Sequence, residues 1–160
     1  MFEVLVFVYE NYWQGDACPE RPQLERKLSA VGFEPGEIRD ALTWLAGLTL
    51  ATRHTRDVPP PMETLPEGLP HSLRVYSAAE QDHLGAEGLG FVGFLESAGV
   101  LPVPLREIVI DRAMAVSGDP VLALDDLKII ILMLFWSLGT ELDALILDEL
   151  CDDTTSRVAH

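Results

Sequence analysis

The eight residues from Ile129 to Trp136, IIILMLFW, are apolar on every side of a helix. Such a helix has to be surrounded, either by the rest of its own chain or by a partner. A bilayer is not that surrounding, because a membrane-spanning helix needs ~20 apolar residues. The run therefore predicts a central core helix over 126–138, with Asp125 and Asp126 at its positive N-terminal end, where acids are favoured. The remaining helices must enclose it. If they do not, a homodimer must, and a homodimer is one expectation from this run. A chain of 160 residues can supply the enclosure, since a domain of about this size buries roughly 68–70% of its unfolded surface.

The other apolar patterns are also helical, so the fold class expected is mainly α. Phe2, Leu5, Val6, Tyr9, Tyr12 and Trp13 recur at helical spacing and predict a first helix over 2–13, broken by Gly15-Asp16. Pro22 opens a second helix to residue 31, with Leu24, Leu28 and Val31 as its stripe and Gly32 as its stop. A third runs from Pro35 to about Ala51 on Ile38, Ala41, Leu42, Leu45 and Leu48, with Trp44 beside them. Residues 1–51 thus read as an N-terminal three-helix bundle. Five of the eleven prolines then fall between 52 and 72, and mark a Pro-rich linker. A C-terminal helical domain follows over 73–150, and 151–160 read as a flexible tail. Within that domain Ser77 and Glu80 form a capping-box pattern for a helix over 78–98, which Gly85 is expected to interrupt. Phe91, Phe94 and Leu95 give its later part an apolar face. Further helices are expected over 104–116, with Leu105, Ile108, Val109 and Met114 inward, and over 140–150, with Leu142, Leu145, Ile146 and Leu150 on one face. Leu73 to Tyr76 and Val121 to Ala123 are short enough and apolar enough to pair as a two-stranded β element.

Charge narrows the function. Twenty-six acids against eleven bases give −15. Residues 1–60 carry nine acids and six bases, and residues 61–160 carry seventeen and five. A phosphate backbone is held mainly by Lys and Arg, so direct nucleic-acid binding is not expected, and anionic membranes are repelled likewise. Cys18 and Cys151 are too few and too far apart for a secreted disulfide framework. Met1-Phe2-Glu3 lacks the basic lead of a signal peptide. A cytoplasmic location is expected.

No catalytic, cofactor or metal site is expected. His54, His71, His83 and His160 are scattered without zinc spacing, and His71 and His83 read as solvated. Glu107 and Asp111 lie one helical turn apart, with Asp125 and Asp126 further on, and four converging carboxylates could hold a magnesium ion. The structural alternative pairs Glu107 and Asp111 with Arg74, Arg106, Arg112 or Lys128. Helices two and three, joined at Gly32-Phe33-Glu34, have helix-turn-helix spacing. The third helix, however, offers only Arg39 against Glu37 and Asp40, a poor reader of DNA. Protein binding fits better. From Glu141 to Asp153 there are six acids, no bases and interspersed leucines, which suits a basic partner groove. Leu142, Leu145 and Ile146 are the candidate contacts there.

Two resemblances add to this. Leu28, Gly32-Phe33, Ile38, Ala41-Leu42 and Leu45 resemble a ubiquitin-associated-type three-helix module. That resemblance implies docking contacts at Gly32, Phe33 and Leu45, with the neighbouring Trp44 as a further candidate. Over nearly its full length the chain resembles the bacterial Smg family. The residues that carry this are Met1 to Leu5, Leu28, Gly32-Phe33, Ala41 to Leu45, Arg74 to Tyr76, Gly90-Phe91, Phe94 to Glu96, Arg106 to Arg112, Leu124 to Lys128 and Ile131 to Met133. The resemblance implies no established activity, catalytic residue or cofactor. Its genes lie beside those of DNA-processing and topoisomerase-related proteins, which implies a partner in DNA processing. The expectation is a non-enzymatic adaptor or regulator that binds another protein. The alternative is a nucleic-acid-associated protein acting through the N-terminal bundle.

Overall fold

The computed structural model describes residues 1–12, 19–57, 74–116, 118 and 120–151. Among these residues there are seven helices and no strand: α1 (Phe2–Asn11), α2 (Arg21–Val31), α3 (Pro35–Asp57), α4 (Ala78–Ser97), α5 (Val103–Met114), α6 (Leu124–Leu138) and α7 (Ala144–Cys151). The chain is mainly α, as its periodicities predict.

Helix α6 is the centre. Every residue from Leu127 to Phe135 is buried, and α1, α3, α4, α5 and α7 all pack on it. Each apolar side chain enclosed this way contributes about 1.5–3 kcal/mol relative to exposure. The enclosure comes from within the chain, so the apolar run by itself gives no reason for a dimer. Helix α3 has a second central role. It packs against α1, α2, α5 and α6, and Val4, Leu28, Ile38, Leu48, Val109 and Ile130 belong to one continuous core. The helices on either side of residues 58–73 therefore share their interior.

Local sequence explains where the helices stop and bend. At the end of α2, Gly32 adopts φ 112°, a left-handed conformation that favours glycine. The amides of Gly32 and Phe33 donate back to Ser29 and Leu28, which satisfies the last carbonyls of the helix. Gly85, at φ 66° and ψ 172°, breaks α4 near its first third, as expected from the sequence. The Ser77–Glu80 capping box is formed in both directions.

Two expectations need revision. Helix α3 continues to Asp57, so residues 52–57 are helix and not linker. Thr52 and Thr55 help there: their hydroxyls donate to the carbonyls of Leu48 and Ala51, one turn back. Thr52 also lies 3.2 Å from the Ser137 hydroxyl of α6, so this polar end still has something to pack on. The two-stranded β element does not appear among the described residues. Arg74 to Ser77 lead into α4, and the Leu122 amide donates to the His83 carbonyl at 2.7 Å, not to a strand. Trp13, Gly15-Asp16, Cys18, Pro59 to Leu73 (with His71) and the tail from Asp152 to His160 lie outside the described residues.

Candidate functional site

The sequence candidates fall in three places. At the α2–α3 turn Gly32 is exposed and Phe33 half-buried, its ring edge-on to Phe7 at 5.7 Å. Trp44 and Leu45 face inward, only 4% and 9% exposed. The Trp44 indole N–H donates to the Arg112 carbonyl in the last turn of α5, at 3.0 Å. Neither residue offers a surface to a partner, because both are buried in the core. That corrects the docking contacts drawn for them from the sequence. Without Trp44, the exposed face at the start of α3 shows Arg39, Asp40 and Thr43.

The carboxylates are engaged in ion pairs. Arg74 grips both Glu80 oxygens, at 2.9 and 3.1 Å, and donates through Nε to Glu107 at 3.0 Å. Arg106, which is 6% exposed, donates to Glu96 and Glu107. The Arg74 hydrogen bonds, then that from the Ser77 amide, hold the Glu80 carboxyl down at about 2. Those bonds in turn raise Arg74 above its ordinary value. The Arg74 guanidinium lies 4.7 Å from the centre of the Tyr76 ring, whose hydroxyl is pushed up by burial. This network ties the segment entering α4 onto α5. Asp111 pairs with Arg112 at 2.7 Å, and Asp125 and Asp126 lie in the first turn of α6. Among the described residues no three His, Cys, Asp or Glu side chains come together to hold a metal ion.

His83 is more than a solvated side chain. Its Nδ1 lies 3.2 Å from the Pro120 carbonyl and its Nε2 3.2 Å from that of Ala113. With the Leu122 amide on its own carbonyl, His83 clamps the α5–α6 connection against α4.

The third place is a groove between α4 and α7 with a volume of about 360 Å³. Phe91, Phe94 and Leu95 form its α4 wall, and Leu145, Ile146 and Leu150 its α7 wall, with Glu149 at the rim. Phe91 and Phe94 stack with centroids 6.4 Å apart. Phe94 is 60% exposed and Leu145 81%, while Leu95 and Leu150 are buried at 1% and 0% and form the floor. Lys128 of α6, 5% exposed, lies 5.7 Å from the Phe91 ring centre and 3.8 Å from Glu149. Two sequence candidates, Leu145 and Ile146, meet here. Leu142 is half-buried against the core. The α4 wall was missed as a site because Phe91, Phe94 and Leu95 read as one inward face. Their spacing puts Phe94 at the edge of that face, where it is 60% exposed. Behind the groove, α7 meets α1: the Tyr9 hydroxyl is raised to about 12, chiefly by burial and then by Cys151.

Among the described residues no helix is long and apolar enough to cross a membrane. Compared with known proteins, the chain matches the family described as "Protein of unknown function (DUF494)" over residues 1–160. It is 61% identical over 161 residues to a Methylibium petroleiphilum protein and 59% identical over 160 residues to one from Leptothrix cholodnii. It is 47% identical over 160 residues to one from Bordetella pertussis. All three are named Protein Smg homolog, and each match covers 100% of both chains. No solved structure matches the chain.

Proposed function

The chain belongs to the Smg family of proteins of unknown function (DUF494), and we propose that it acts as a non-enzymatic adaptor that binds another protein through the α4–α7 groove. One observation carries this reading. Phe94 and Leu145, both large and apolar, stand open to solvent on opposite walls of one apolar groove. Apolar side chains gathered on the two walls of one groove, unlike exposed ones scattered singly, suit the docking of a partner's apolar side chains. The ion-paired carboxylates suit the non-enzymatic part of the proposal: Glu107 and Asp111 each sit against an arginine, where they hold structure together.

The test is position-specific. A photo-crosslinking amino acid at Leu145, in the full chain expressed in its native host, should trap a discrete protein. The same probe at Arg53, an exposed residue of α3, should not. Equal labelling from both positions, or none from Leu145, would remove the proposal. The alternative, a nucleic-acid-associated protein acting through the N-terminal helices, predicts crosslinks from Arg39 that disappear on nuclease treatment.

A further inference from the structure

We infer that the occupant of the α4–α7 groove is a basic amphipathic helix from another protein. The inference rests on the docking reading above and gives its partner a chemistry. The groove runs between two helices, α4 and α7, and its volume of about 360 Å³ is walled by apolar side chains from both. That is the setting in which an amphipathic helix lays its apolar face between two others. A helix laid along such a groove inserts side chains at i, i+3 or i+4, and i+7. It leaves its other residues facing the rim.

The rim sets their charge. From Ile129 to Ser156 the sequence has no Lys or Arg and six acids. Four of these, Glu141, Asp143, Asp148 and Glu149, are exposed on α7 or just before it. On α4, Glu87 is exposed one turn before Phe91. Lys128 of α6, itself buried, lies 3.8 Å from Glu149 and offsets that one rim charge; Glu141, Asp143 and Asp148 remain as exposed acids. The exposed Phe94 ring offers a face to an incoming Lys or Arg, a favourable cation–π contact. A second copy of the chain fits poorly, since both acidic α7 rims would meet across the interface. Nucleic acid and anionic lipid are repelled for the same reason.

The test uses the full chain and three labelled 16-residue peptides. One is a leucine–lysine helix with leucines at i, i+3, i+4 and i+7. The second has the same composition in scrambled order, and the third replaces its lysines by glutamates. Fluorescence anisotropy at 0.15 M salt should show saturable one-to-one binding of the first alone. Leu145→Asp, at an exposed position that folding does not need, should weaken it at least about tenfold, as loss of a central interface contact does. Asp148→Lys should weaken it several-fold. Binding of the leucine–glutamate peptide, equal binding of the scrambled one, or indifference to Leu145→Asp would overturn the inference, since only diffuse attraction to an acidic surface would remain. The docking reading fails separately. If Leu145 crosslinks a protein whose contacting segment is not basic, the inference falls and the adaptor role stands. If Leu145 crosslinks nothing, the adaptor role falls whatever the peptides do.

Discussion

Replacing Trp44 by Phe should cost about 2.5–4.5 kcal/mol without dividing the fold. The indole N–H of Trp44 donates to the Arg112 carbonyl at 3.0 Å, in the last turn of α5, where carbonyls run out of intrahelical partners. Phenylalanine cannot donate, so a sheltered carbonyl is left unsatisfied at a cost of about 1–3 kcal/mol. The smaller ring also lacks two carbons of the indole. Trp44 is only 4% exposed, so their loss adds about 1.6 kcal/mol at ~0.8 kcal/mol per buried carbon. At this chain length each kcal/mol lowers the melting temperature by about 2–4 °C, which gives a drop of about 5–18 °C. Thermal and urea unfolding followed by circular dichroism should show that drop in a single transition with an unchanged urea slope. The control is Leu50→Ala on the same helix: Leu50 is 60% exposed and should change stability by less than about 0.5 kcal/mol. If Trp44→Phe melts like Leu50→Ala, the indole bond carries nothing. If the variant melts in two steps, α1–α3 and α4–α7 are separable units, and the shared core is not what holds them together.

Other outcomes follow from the same geometry. His83→Ala removes the ring contacts to the Pro120 and Ala113 carbonyls, to one of which a neutral imidazole can donate, and should destabilise by about 0.5–1.5 kcal/mol, seen as faster amide exchange at Leu122. Glu80→Gln keeps the capping box but loses the charge facing Arg74. The folded carboxyl titrates at about 2 against an ordinary 4.5, so its contribution is fully present above about pH 4.5 and is lost as pH falls toward 2. The stability gap between the wild type and Glu80→Gln should therefore close over that window in acid-unfolding curves; a gap that stays constant refutes it. Gly47→Leu should destabilise, because any Cβ at Gly47 runs into the Arg112 guanidinium packed over it. Gly47→Ala should be milder in urea unfolding, since the arginine end can swing aside while the helix gains about 1 kcal/mol of propensity.

Much of this fold is legible in local sequence. The apolar run of α6, the capping box at Ser77 and the break at Gly85 each act within a turn or two, so spacing alone reveals them. The full-length resemblance to the Smg family agrees with a family match over residues 1–160. What spacing cannot show is which side of an element a distant one covers. Trp44 lies beside the stripe of Leu45 and Leu48, which widens the apolar face of α3. A stripe that wide signals cover on two sides, but α5, some sixty residues on, supplies the second cover. Arg106 could be paired with its neighbour Glu107 from the sequence, but not with Glu96 of α4, which only the fold brings to it. Residues 52–57 look like linker because they are polar and precede prolines, yet Thr52 finds Ser137, 85 residues away. The groove was half legible: Leu145 and Ile146 could be named from α7 alone, while Phe94, in line with Phe91 and Leu95, shows its exposure only in the packed fold.

The central position of α6 also has a consequence for synthesis on the ribosome. Val4, Leu5 and Val8 of α1 are fully buried, and α6 is among the helices that cover α1. More than a hundred residues separate the two helices, which at about 5–20 residues per second is roughly 6–23 s of translation. Throughout that interval the nascent N-terminal helices carry an apolar face with its cover still unmade. That face stays open to aggregation until the last quarter of the message has been read.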